Sequence, residues 1–132
     1  MGSFTDFLED EILDHVFGKG VYTPPTIYVA LSTSTPTDAG GNVTEPADGY
    51  ARVQTAAADW NVATGDPSLT DNANEIAFPE ASGDWGTITH FVLYDAASAG
   101  NALAWGALGT SKAITSGDTA KFAAGDLDTT LD

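Results

Sequence analysis

Trp85–Ala96, WGTITHFVLYDA, is the longest β-like run in the chain and decides its fold class. Thr, Ile, Phe, Val, Leu and Tyr crowd into it, residue types that fit a pleated, packed surface. Side chains alternate faces along a strand. One face then carries Trp85, Thr87, Thr89, Phe91 and Leu93, and the other Gly86, Ile88, His90, Val92 and Tyr94. Both faces are apolar towards the C-terminal half, which predicts a central strand covered on both sides.

A second run, Thr26–Ser32 (TIYVALS), has the same character, and a third, Asn101–Leu108 (NALAWGAL), follows a turn-like break at Ser98–Gly100. Shorter strands are expected at Tyr50–Thr55 and Asn74–Phe78, the latter ended by Pro79. A hairpin is expected with Lys112–Thr115 and Thr119–Ala123 flanking the turn signal Ser116–Gly117–Asp118. Asp126–Leu131 alternates like a last edge strand, with Asp126, Asp128 and Asp132 discouraging edge-to-edge pairing. Several short strands at steady spacing predict a mainly β fold, an antiparallel β-sandwich or open barrel with one N-terminal amphipathic helix. The expected organisation is a docking helix in residues 1–20 and a single β-rich domain in residues 21–132.

The helix is expected over Ser3–Phe17. Ser3 can cap it, with Asp6 three residues on. Asp6, Glu9, Asp10 and Glu11 suit the N-terminal half of a helix dipole, and Gly18 stands where a glycine ends helices. Phe4, Phe7, Leu8, Ile12, Val16 and Phe17 recur at helical spacing and form a candidate assembly face. That face could pack on the chain's own sheet or on a neighbouring subunit.

Charge is the sharpest feature of composition. Asp and Glu number 19 against 4 Lys and Arg, a formal net charge of −15. The basic footprint of a nucleic-acid binder is missing. Three readings fit the acidity: an ordinary acidic domain, adaptation to high salt, where screening is short-ranged, and cation binding by loop carboxylates. The chain has no Cys, so disulfides and thiolate metal sites are excluded. The start, MGSFTDFLEDE, lacks the pattern of a signal peptide. No apolar run is long enough for a transmembrane helix, so no membrane insertion is expected.

Chemistry-bearing motifs are few. His15 and His90 fall in different predicted elements with no partner in sequence for catalysis. No G-x-S-x-G elbow, P-loop or dinucleotide fingerprint is present. The polar loop Thr33–Asp48 supplies oxygen ligands at Asp38, Asn42 and Glu45 around glycines, a candidate site for Ca²⁺ or another cation. Turn chemistry explains the same residues equally well. Trp60, Trp85, Trp105, Tyr22, Tyr28 and Tyr50 are candidates for stacking on a sugar. Trp85 and Trp105 fall in core strands and Trp60 is the most open of them.

The order of motifs carries a resemblance. It runs ILDHVFG (Ile12–Gly18), Tyr22–Pro25, TIYVALST (Thr26–Thr33), TPTD (Thr35–Asp38), GYAR (Gly49–Arg52), then Phe78–Phe91, Asp95–Asn101, Trp105–Lys112 and Ser116–Leu127. This resembles a family of small virion proteins of tailed bacteriophages, prophages and related archaeal tailed viruses, labelled tail fibre-like or virion structural. The resemblance implies a non-enzymatic particle component, on the capsid surface as decoration or turret, or in the tail as fibre or baseplate. It implies an oligomeric component, with other virion proteins and copies of itself as partners. Closed symmetry makes a trimer the expected form, and a host surface glycan is a further candidate partner. The acidity adds a halophilic source as an expectation. The alternative from a different class is a carbohydrate-active enzyme or glycan-binding module with an aromatic-lined cleft.

Overall fold

The computed structural model describes residues 2–131. Nine strands and one α-helix follow in order: β1 (Gly2–Phe4), α1 (Asp6–Val16), β2 (Tyr28–Ser32), β3 (Val53–Gln54), β4 (Ser68–Thr70), β5 (Ile76–Ala77), β6 (Gly86–Tyr94), β7 (Ala102–Ile114), β8 (Lys121–Phe122) and β9 (Thr129–Leu131). Seven form one mixed sheet ordered β3-β2-β6-β7-β1-β9-β4, curled into a half-barrel, while β5 and β8 form a separate two-stranded ladder. The fold is therefore mainly β with one N-terminal helix, and it lies nearer the open barrel than the sandwich. All pairings are antiparallel except β1 with β9.

The central run forms β6, between β2 and β7, and its C-terminal half is buried on both faces as expected. Phe91 and Leu93 join Val29, Leu31 and Ala104 in the main core, while Val92 and Tyr94 pack with Ala30 and Ala102 on the opposite face. The simple alternation fails in the first half. Ile88 and Phe91, which strict alternation puts on opposite faces, share the main core. The ladder breaks between them: Ile88 pairs with Lys112 but His90 with Ala107, so regular pairing does not run on through Thr89. Such irregularities re-aim side chains.

Three local expectations are corrected. The first concerns Ser3, which does not cap a helix but sits in β1, held between β7 and β9. Thr5 is the cap instead. Its hydroxyl accepts from the Leu8 N–H at 3.4 Å and donates to the Ala102 carbonyl at 2.7 Å. Gly2 admits this arrangement because an added Cβ would lie 2.8 Å from the Trp105 carbonyl oxygen and 2.9 Å from the Phe91 ring. The second is the hairpin at residues 112–123, whose arms diverge. Ile114 belongs to the end of β7 opposite Gly86, and Phe122 pairs with Ile76. Asp118 still closes the turn, its carboxylate accepting from the Thr115 N–H and hydroxyl. The third is the last strand, which is not an edge: β9 lies between β1 and β4. Asp132 falls outside the described residues.

The end of α1 does follow the sequence. Gly18, at φ +74°, donates to the His15 carbonyl, and Lys19 to that of Asp14 at 2.7 Å, a Schellman closure. His15 Nδ1 then accepts from the Tyr22 N–H at 3.1 Å, which folds residues 17–22 back along the helix. Among the described residues no helix is long and apolar enough to cross a membrane.

Candidate assembly surface

The main core does not fill its face of the sheet. Leu93 and Ala104 belong to that core, and they also floor an open apolar groove of about 770 Å³. One wall is α1 with the chain that follows it, through Leu8, Ile12, Tyr22 and Pro24. The other is the segment around a short 3₁₀ turn (Ala57–Asp59), through Ala57, Trp60 and Val62. A groove of this size falls within the range of binding pockets. Among the described residues, none lining it is charged. Thr129 closes one side. It is 4% exposed, and its hydroxyl has no hydrogen-bond partner among the described residues. Buried polar groups normally find one.

The candidate assembly residues divide between burial and exposure. Leu8 is buried, and Phe7 and Ile12 are half-buried, so the first half of α1 packs on its own sheet. Phe4 lies in β1 and lines the groove. Beyond Ile12 the stripe is open: Leu13 is 56% exposed, Val16 68% and Phe17 71%, and Val21 after the turn is 83% exposed. Large apolar side chains clustered at the surface mark contact sites.

The Thr33–Asp48 loop folds on itself rather than waving free. Thr33 donates to the Thr44 carbonyl and the Ser34 hydroxyl to that of Asn42, while Val43 packs on the second core cluster. The three candidate cation ligands are each engaged elsewhere. Asp38 accepts from Trp105 Nε1 at 3.1 Å, Asn42 donates to the Thr35 carbonyl at 2.7 Å, and Glu45 is taken by Arg52 and Tyr50. No group of three or more His, Cys, Asp or Glu side chains gathers as a metal site among the described residues.

Arg52 is the residue whose role the sequence did not announce. Its Nε and Nη2 donate to the two oxygens of Glu45 at 2.9 and 2.8 Å. Nη1 donates to the Ala96 and Ala99 carbonyls at 2.9 Å each. The guanidinium lies 3.6 Å over the Tyr94 ring, and the Tyr50 hydroxyl donates to Glu45 at 2.7 Å. Burial alone would raise the Glu45 carboxyl, but hydrogen bonds from Arg52 and Tyr50 and the Arg52 charge hold it below its ordinary value. The Tyr50 phenol is pushed well up, by burial and then by Glu45. This cluster is a clamp joining the long loop to the 96–99 turn. The pairing of an Arg with a carboxylate seven positions upstream was the available signal.

The aromatic candidates scatter. Trp85 is in the core with Nε1 donating to the Asp48 carbonyl, and Tyr50 stacks edge-on to it. Trp105 lies on the other face beside His90, at 5.8 Å between rings. Burial lowers the His90 pKa. His15 only pins Tyr22. Tyr22 and Trp60 both line the groove, but among the described residues no carboxylate does, and glycoside hydrolysis needs a facing pair. What this geometry can do is bury an apolar, chain-like partner.

A comparison with curated proteins gave no match. A family description does match, over residues 3–130, and therefore covers the half-barrel, the helix and the groove together. It is that of the podophage GP4 fiber I protein gp80, and this chain belongs to that family of virion fibre proteins.

Proposed function

We propose that this chain is a non-enzymatic structural component of the virion tail, a fibre subunit seated through its α1 side. The observation that carries the reading is the family match over residues 3–130. The geometry supports it, because the apolar end of α1 and the groove beside it are contact surfaces without a reactive group. The fibre family favours the tail over capsid decoration. The opposite face of the sheet, with the folded Thr33–Asp48 loop, is left free to face outward, where a fibre meets host surface glycan.

Interrupting the gene tests this reading. Particles made without the protein should keep filled heads but lack a tail appendage and lose adsorption to host cells. Particles of unchanged tail structure and adsorption would reject it.

A further inference from the structure

We infer that the groove beside α1 receives the exposed apolar end of α1 from a second copy of this chain. The inference deepens the fibre reading, but it is tested on the purified chain and can fail while that reading stands.

The observations are complementary. The chain carries an unfilled groove with no charged lining residue, and an apolar knob made by Leu13, Val16, Phe17 and Val21. The knob cannot enter its own groove, because Leu8 and Ile12 of the same helix form the groove wall. Insertion must therefore be between molecules. The uncharged lining matters in a chain of net charge −15, since the inserted side chains meet no carboxylate.

Knob-into-groove contacts are reciprocal, closing a dimer, or head-to-tail, closing a ring or running on as an open filament. The trimer expected from sequence is one such ring.

Sedimentation tests the inference, in molar KCl to screen the mutual repulsion of two acidic chains. The wild type should associate beyond its 13.6 kDa monomer. Phe17→Asp removes the knob, and Ala57→Trp, at an exposed groove residue, blocks the groove. Each should weaken association at least roughly 10- to 100-fold, the worth of one buried aromatic. Mixed together, the two variants should form a complex, because one keeps its knob and the other its groove. Val16→Asp with Ala56→Trp replaces any member of the pair that circular dichroism shows unfolded. A wild type that stays monomeric, single variants that still associate, or a mixture that does not would each overturn the inference.

Discussion

Replacing Arg52 by Ala should be among the most damaging changes outside the apolar core. Its side chain is 6% exposed and makes five directed interactions: two hydrogen bonds to Glu45, two to the Ala96 and Ala99 carbonyls, and the contact with the Tyr94 ring. Removing one partner of a buried ion pair costs about 3–5 kcal/mol. The Glu45 side chain is 28% exposed, so water can reach its carboxylate and the loss sits at the low end, about 3 kcal/mol. For a domain of this size, about 4 °C of melting temperature goes with each kcal/mol, so the midpoint should fall by about 12 °C. Arg52→Lys keeps a charge but cannot span Glu45 and two carbonyls, and should lose about 2 kcal/mol. Urea denaturation of both variants, with Glu45→Ala and the double variant to close a cycle, checks this. The coupling energy should exceed about 1 kcal/mol. If Arg52→Ala and Arg52→Lys both stay within about half a kcal/mol of wild type, the clamp is a surface ion pair of no consequence and the reasoning fails.

Four further outcomes are expected. Asn72 is fully buried, donating to the Asn74 and Ala123 carbonyls and accepting from the Leu127 N–H. Asn72→Ala should therefore cost about 3 kcal/mol in urea denaturation by orphaning those groups. The depressed Glu45 pKa contributes stability above its unfolded value of about 4.3. That contribution should be lost as pH falls through the folded value, and Glu45→Gln should remove this part of the acid dependence in thermal melts. Melting temperature should climb from low to molar KCl, because 15 uncompensated negative charges repel until screened. A flat curve would remove high-salt adaptation as the cause of the acidity. Chelation should leave the melting temperature unchanged, since Asp38, Asn42 and Glu45 are held by Trp105, Thr35 and Arg52. A clear fall would put a cation in the loop.

What was legible in the sequence was local. The β6 run and its β2 neighbour declare themselves by dense β-branched and aromatic residues, and the start of β7 by an apolar run after a turn-like break. The helix declares itself by spacing, and Gly18 by the chirality of helix ends. The failures all involve distant chain. β1 is three residues long and owes its strand to β7 and β9, more than a hundred positions away, and to the missing side chain at Gly2. The face of Ile88 could not be read because the register break between Ile88 and His90 shows only in the pairing with β7. The arms around Ser116–Asp118 look like a hairpin, but the first continues β7 and the second pairs with β5.

The candidate surface was half visible for the same reason. Spacing found the apolar stripe of α1, yet spacing cannot say where the sheet stops covering it. Leu8 is buried and Phe17 open only because of where β7 and the core end. The groove is invisible in any one segment, since it is assembled from residues 4–12, 22–27 and 55–62 over a floor from β6 and β7. Arg52 stands in the Gly49–Arg52 motif, but its partners at Glu45, Tyr94 and the 96–99 turn meet only in the folded sheet.

The placement of the protein on the particle is tested most directly by gold-labelled antibody on intact virions under the electron microscope. Gold confined to the tail is the result expected of a fibre subunit. Gold over the head, or none on accessible intact particles, would contradict it.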